Sequence, residues 1–231
     1  MSRWMRIPCL LLAFSLLLPS CAETPSSTAR ESLTGILSEI LDHWGSPGAS
    51  ISVVKDGQVV FQEGFGTTMA NGGVEVTPQT IAPVQSVSKG FTAVALSMLV
   101  HDGVLEWDAP VATYIPEFEF GGPYLTGHIT VKDLMTHRAG TPFLLGGWSP
   151  SSYSMEDLFA DLAESEPTIP LRSGVFYSQV GMALLGEIIH RVSGMTWAEF
   201  VRDRILGPLG MSASFPADPF LIEAHGTPAS F

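Results

Sequence analysis

A serine and a lysine three residues apart, Ser86 and Lys89, form the pair of side chains best suited to chemistry in this chain. A serine hydroxyl attacks poorly until a neighbouring base takes its proton, and a lysine can be that base when burial lowers its pKa. Residues three apart in a helix share a face, so the pair can cooperate in a helical turn. A helix N-terminus at this point would also offer free N–H groups to a developing oxyanion. The pair therefore predicts nucleophilic acyl transfer from Ser86.

The residues after Ser86 predict the helix that must position it. Apolar residues recur there with the spacing of one buried helix face: Phe91, Val94, Ala95, Met98 and Leu99. Gly103 follows as the helix stop. We therefore place Ser86 and Lys89 in the first turn of this helix.

A second Ser-x-x-Lys match, Ser52 to Lys55, lies in a different pattern. Residues 49–61 alternate like strands around Asp56-Gly57, which is a strong signal for a hairpin turn. Residues three apart on a strand point to opposite faces. We interpret Ser52 and Lys55 as structural because their side chains cannot meet.

Three segments together resemble the serine β-lactamase and penicillin-binding-protein-like family, in its class C β-lactamase, DD-peptidase and esterase branch. They are Ser86-Val87-Ser88-Lys89, Tyr177-Ser178-Gln179 and Leu134-Met135-Thr136-His137-Arg138-Ala139-Gly140-Thr141-Pro142. Further matches lie in residues 102–111, 129–134 and 205–211. The resemblance runs from about Ile36 to Met211.

The resemblance implies a fold and a set of roles. The fold is of the α/β class (α+β type), with an antiparallel sheet flanked by helices and a mostly helical region beside it. Ser86 would be the acylated nucleophile, Lys89 its base partner, and Tyr177 a phenolate or a proton relay to the leaving group. Which of Lys89 and Tyr177 takes the first proton stays open. Gln179 would bind substrate; the family commonly has asparagine there, one methylene shorter.

The family also has a third motif, Lys-Thr-Gly or His-x-Gly in type, on a strand well after the tyrosine. No lysine follows Tyr177 in this chain. In the family that strand pairs with the N-terminal hairpin, here Ala49 to Gly66. We therefore expect residues 31–231 to be the N-terminal, incomplete portion of a longer hydrolase domain, with its C-terminal strands missing.

Composition and spacing exclude several other classes of protein. The net charge is −12, from 23 acidic and 11 basic residues, which argues against a nucleic-acid partner. No H-E-x-x-H or C-x-x-C spacing predicts a zinc site, and no Gly-x-Ser-x-Gly predicts an α/β-hydrolase. We expect neither a metal nor an organic cofactor. His137 has no acid partner or metal-ligand spacing in the sequence, so we interpret it as a structural histidine.

The N-terminus is typical of an export signal. A short basic region precedes an apolar run from Ile7 to Leu18, which is short for a transmembrane span. Leu18-Pro19-Ser20-Cys21 resembles a bacterial lipobox, with Cys21 lipidated; the alternative is cleavage after Ala22. We predict a signal over residues 1–21, a tether over 22–30, and a first helix from Glu31 to Trp44. Membrane attachment is expected only through the lipid.

These observations predict an exported serine hydrolase, in the periplasm or on the outer membrane. It would act through an acyl-enzyme on an ester, a peptide-type amide or a β-lactam, and the family resemblance points to small-molecule or peptidoglycan-like acyl substrates. A rival of another class is a non-catalytic tethered fragment or binding module that has the same fold and an incomplete site.

Overall fold

The computed structural model describes residues 26–144, 153–212 and 214. The chain divides into two compact units, with the boundary between Ile81 and Ala82. The first unit contains the hairpin, and the second contains Ser86, Lys89 and Tyr177. The candidate site can therefore be described within the second unit alone.

The first unit opens with a helix, α1 (Ser27–Trp44). The Ser26 hydroxyl caps it by accepting a hydrogen bond from the Ala29 N–H at 3.2 Å. Gly45 ends it in the left-handed region at φ +63°. The prediction of a tether over 22–30 was therefore wrong from residue 27 onward, because a serine cap lets the helix begin before Glu31.

The hairpin follows α1 as predicted. Strand β1 (Gly48–Lys55) pairs antiparallel with β2 (Gln58–Gly66), and Gly48 lies opposite Gly66. Asp56 and Gly57 form the turn with positive φ angles of 52° and 75°, as a type I′ turn requires. The strand β1 contains both Ser52 and Lys55, so this second match is not in a helical turn.

The second unit is helical in the part that the structure describes. Its helices are α2 (Ser88–His101), α3 (Gly122–His128), α4 (Val131–Met135), α5 (Met155–Ala163), α6 (Gln179–Ser193) and α7 (Trp197–Val201). Short 3-10 turns cover Gln85–Val87 and Val111–Thr113, and a π-helical turn covers Arg202–Leu206. None of the helices in the described ranges is long and apolar enough to cross a membrane.

The core of this unit lies where α2 packs against α6 and α7, and where α4 packs against α6. Fully buried aliphatic and aromatic side chains fill it: Leu96, Leu134, Leu184, Leu185, Ile188 and Phe200. This packing fixes α2, which follows Ser86, against α6, which follows Tyr177. The two segments that meet in the candidate site are therefore anchored in one core.

The buried face of α2 differs from the predicted one. Ala95 and Leu99 are buried as expected, but Leu96 is buried too and Val94 is 47% exposed. Apolar residues occur on several sides of this helix, so periodicity alone could not select its buried face. Packing against α6 and α7 determines which side of α2 is buried.

Candidate active site

Ser86 lies in the 3-10 turn that runs directly into α2. The prediction placed it inside the first α-helical turn; the structure places it just before. Gln85, next to it, has a left-handed φ of +45°, which is uncommon for a residue other than glycine. Because the turn and α2 are continuous, Ser86 and Lys89 still share a face, and Ser86 is exposed.

Two side chains converge on the Ser86 hydroxyl oxygen. Lys89 Nζ donates a hydrogen bond to Ser86 Oγ at 3.1 Å. Ser86 Oγ and the Tyr177 hydroxyl form a second hydrogen bond at 2.6 Å, although they are 91 residues apart in sequence. Lys89 Nζ also lies 4.8 Å from the centroid of the Tyr177 ring. The structure thus brings together the three residues singled out for catalysis.

The surroundings of Tyr177 change the acidity of its hydroxyl. Hydrogen bonding to Lys89, and then to Ser86, lowers the pKa of Tyr177, and these effects outweigh the opposing effect of its slight burial. A neighbouring ammonium group favours the negatively charged phenolate. A larger fraction of Tyr177 is therefore phenolate, the form that can accept a proton from Ser86, than in an ordinary tyrosine.

Backbone hydrogen bonds hold the segment that carries Tyr177. The Phe176 N–H donates to the His137 carbonyl at 2.8 Å, and the Gln179 N–H donates to the Phe143 carbonyl at 2.8 Å. Residues on both sides of Tyr177 are thus tied to residues 137–143. These bonds make the family-like segment around Gly140 a support for the tyrosine.

Ser178 adds side-chain bonds to this support and caps α6. Its buried hydroxyl accepts from the Gly181 N–H at 3.0 Å and from Thr141 Oγ1 at 2.9 Å. It donates to the Pro142 carbonyl at 2.7 Å. One hydroxyl therefore begins the helix and fixes it to residues 141–142.

An ion pair anchors the start of the same loop. Arg172 donates to both oxygens of the buried Asp133, at 2.9 Å and 2.6 Å, and to the His128 carbonyl at 3.0 Å. Burial alone would raise the pKa of Asp133, but hydrogen bonds from Arg172 and Thr130 outweigh it and hold that pKa below its usual range. Asp133 therefore stays ionised at neutral pH and keeps Arg172 in place.

Two further predicted positions have different outcomes. Gln179 is the first residue of α6 and is half-buried. Among the hydrogen bonds of the described residues, its main chain takes part and its side chain does not. A role in binding substrate stays a prediction. Cys21, the predicted lipidation site, lies outside the described residues.

The sequence interpretation missed a contact of His137. The imidazole ring of His137 packs on the Tyr177 ring, with a centroid distance of 4.8 Å. Its only signal in the sequence was its place in the family-like segment before Gly140. Spacing could not reveal this contact because the two residues meet only through the fold.

Comparison with known proteins identifies the family of this chain. Residues 33–221 match the Beta-lactamase family. The chain belongs to that family. It is 29% identical over 189 residues to Unguisins hydrolase ungD' of Aspergillus campestris (strain IBT 28561), covering 78% of this chain and 35% of that protein. The predicted family is thereby confirmed.

Solved structures of penicillin-binding-protein and β-lactamase type are similar to this chain in fold. The octameric penicillin-binding protein homologue from Pyrococcus abyssi is 32% identical, with a TM-score of 0.71, covering 87% of this chain and 47% of that chain. A class C beta lactamase from Rhodobacter sphaeroides is 25% identical, with a TM-score of 0.69, covering 84% of this chain and 53% of that chain. The β-lactamase/transpeptidase-like fold is thus confirmed, and the chain spans about half or less of the length of these proteins.

Proposed function

We propose that this protein is an exported serine hydrolase that forms an acyl-enzyme at Ser86. The observation that carries the proposal is the convergence of Tyr177 and Lys89 on one oxygen, at 2.6 Å and 3.1 Å from Ser86 Oγ. A hydroxyl between a tyrosine of lowered pKa and a cation is an activated nucleophile. The side chains of Ser86 and Tyr177 are both exposed, so a substrate can reach them.

In the proposed acylation step, the Tyr177 phenolate takes the Ser86 proton while Ser86 Oγ bonds to the carbonyl carbon. The resulting oxyanion accepts a hydrogen bond from the Ser86 N–H at the start of the helical stretch. As the bond to the leaving group breaks, Tyr177 returns the proton to that group. Lys89 remains cationic and stabilises the phenolate.

Deacylation reverses the direction of proton transfer. A water molecule gives its proton to Tyr177 and bonds to the acyl carbon. The bond between that carbon and Ser86 Oγ breaks, and Ser86 recovers a proton from Tyr177. The net reaction is hydrolysis, with the site returned to its starting state.

The proposed substrates are esters, peptide-type amides and β-lactams, including peptidoglycan-like acyl donors. Two of the proteins compared are named as a penicillin-binding protein homologue and a beta lactamase, which supports this range. Gln179 begins α6 two residues after Tyr177, and its amide could pair with an amide of the acyl group. We propose it as a substrate-binding residue on that basis.

Labelling with a covalent probe tests the nucleophile. A fluorescent fluorophosphonate and a fluorescent penicillin are incubated with the purified protein, and bound dye is measured on a denaturing gel. Ser86→Ala should abolish labelling. Ser52→Ala is the matched control, because Ser52 also precedes a lysine by three residues, and it should label normally. Labelling that survives Ser86→Ala would contradict the assignment of Ser86 as the nucleophile. A wild-type protein that reacts with neither probe would favour the alternative, a non-catalytic binding module.

A further inference from the structure

The end of α4 carries an unusual residue at a standard helix-ending position. The Arg138 N–H donates to the Asp133 carbonyl at 2.8 Å, and the His137 N–H donates to the Leu134 carbonyl at 3.1 Å. This pair of bonds defines a Schellman ending, in which glycine usually holds the left-handed residue. Here that residue is His137, at φ +57°. Local backbone preference favours glycine at this position, but glycine would lack the side-chain contacts that His137 makes.

His137 makes three contacts with Tyr177 and its two neighbours in the chain. Its carbonyl accepts from the Phe176 N–H at 2.8 Å, and its Nδ1 accepts from the Ser178 N–H at 3.3 Å. These are the residues directly before and after Tyr177. Its ring packs on the tyrosine ring, with centroids 4.8 Å apart and planes inclined by 39°. A glycine could supply the first of these contacts but neither of the other two.

We propose that His137 is a positioning residue for Tyr177, holding the phenol against Ser86 and Lys89 chiefly through the Nδ1 bond to the Ser178 N–H. The proposal rests on the proposed role of Tyr177 in proton transfer. Since Nδ1 accepts a hydrogen bond, His137 is the neutral tautomer with its proton on Nε2. Protonation at Nδ1 would break the bond to Ser178.

Burial and the nearby ammonium group of Lys89 favour this neutral form. Burial, and then the positive charge of Lys89 on α2, lower the pKa of His137. Arg138 follows it in the chain, and its guanidinium donates to the Arg172 carbonyl at 2.7 Å. Tyr177 faces it from the loop before α6. His137 is therefore neutral at the pH where a Tyr177 phenolate would work, and the Nδ1 acceptor is retained.

Three substitutions separate the contributions of His137. His137→Asn keeps an acceptor at the same distance from Cα, and asparagine tolerates the left-handed region. His137→Gly suits the backbone but removes both the acceptor and the ring, so it should fold. His137→Phe keeps a ring without an acceptor. His128→Phe is the matched control, because His128 stacks on Tyr124 with centroids 4.2 Å apart.

The first measurement is the rate of Ser86 labelling by a fluorophosphonate in the full chain. We expect His137→Asn and His128→Phe to label near the wild-type rate. His137→Gly and His137→Phe should lose about 10- to 100-fold, since small misplacements of a reacting group have costs of this size. In a Tyr177→Phe background, His137→Gly should change the rate by less than about twofold, because its effect passes through Tyr177.

The second measurement is the pKa of the Tyr177 phenol, followed by NMR of carbon-13-labelled tyrosine and assigned with Tyr177→Phe. His137→Gly should raise this pKa, and His137→Asn should leave it unchanged. The proposal is overturned if His137→Asn loses as much labelling as His137→Gly, or if His137→Gly leaves the pKa unchanged. This titration needs no turnover. If the protein never labels at Ser86, the proposed function is refuted, and the titration still decides the role of His137.

Discussion

The neighbours of Tyr177 change the acidity of its hydroxyl. It lies 2.6 Å from Ser86 Oγ, and its pKa is lowered first by Lys89 and then by Ser86. An ordinary tyrosine, with a pKa of about 10, is almost entirely protonated at neutral pH and is a poor base. In the proposed mechanism, the lysine therefore acts through the tyrosine as well as directly on the serine.

The pH dependence of acylation follows from this arrangement. If the phenolate is the reactive form, the labelling rate rises with pH through the pKa of Tyr177, which lies below about 10. Lys89→Met removes the largest cause of the lowered pKa, so its rate curve should move to higher pH. The measurement is the initial rate of fluorophosphonate labelling at a series of pH values, with probe hydrolysis in buffer subtracted. A Lys89→Met curve with an unmoved midpoint would contradict the role given to the lysine.

At the scale of elements, the loop before α6 is held by contacts that come from α4 and the residues after it. Asp133 is buried within α4, and Arg172 at the start of the loop pairs with it through two hydrogen bonds. Asp133 also closes a capping box with Thr130 at the start of the helix. One carboxylate thus joins a helix to the loop that carries Tyr177.

Asp133→Asn should destabilise the fold and loosen this loop. Removing one partner of a buried ion pair is costly, and because Arg172 is half exposed we expect a loss of about 2 kcal/mol in the free energy of unfolding. The measurement is urea unfolding followed by circular dichroism. Asp157→Asn is the control, because Asp157 closes the same kind of box with Ser154 at the exposed start of α5. Equal losses for the two variants would contradict the importance of the Arg172 pair.

The same carboxylate predicts how stability changes with acidity. The pKa of Asp133 in the folded chain is below its usual value. Its contribution is therefore complete above the unfolded-state pKa of about 4 and is lost as pH falls through the folded value. Wild-type and Asp133→Asn unfolding energies should converge as pH falls below 4. If the two free energies of unfolding still differ by the same amount at acid pH, the ion pair is not the source of the difference.

Local patterns in the sequence predicted most elements but not all of their boundaries. The hairpin followed from Asp56-Gly57, and the end of α6 followed from Gly194, which caps it at φ +72°. The start of α1 was missed because a single serine cap outweighed a composition typical of a tether. The buried side of α2 was partly missed because only the packed partners α6 and α7 select it.

The candidate site could be predicted as far as its residue types allowed. The pairing of Ser86 with Lys89 follows from local spacing, whereas the approach of Tyr177 required the family resemblance. The contact between His137 and Tyr177 depends on hydrogen bonds between distant segments, which no periodicity encodes. The side chain of Gln179 has no bonding partner in the described part of the chain, so its role still rests on the resemblance.

At the scale of the whole molecule, the proposed export signal determines where the protein works. Cys21→Ala should move the protein from the membrane fraction to the soluble fraction, if Cys21 carries a lipid. The measurement is fractionation of expressing bacterial cells followed by immunoblotting. A wild-type protein that is already soluble after export would instead support cleavage after Ala22.

The extent of the chain relative to the proteins it resembles leads to a second prediction at this scale. The hairpin exposes apolar side chains such as Val54 and Val59, which are 62% and 57% exposed. Extending residues 23–231 with the downstream segment of a relative should cover such positions and raise the unfolding temperature. If that segment also supplies a second oxyanion donor, hydrolysis of a nitrophenyl ester should rise roughly 10²- to 10³-fold. Equal unfolding temperatures and equal rates would contradict this prediction.

The most direct test of the proposed mechanism asks whether Ser86, Lys89 and Tyr177 act as one unit. The measurement is the single-turnover rate of Ser86 acylation in Lys89→Ala, Tyr177→Phe and the double variant, with intact-protein mass spectrometry to follow the adduct. Each single substitution should cost on the order of 10²–10⁴ in rate, as expected for a positioned proton-transfer group. The double variant should lose no more than the slower single variant, because groups that work together are not additive. Losses that multiply, or either single variant acylating at the wild-type rate, would contradict the proposed proton path.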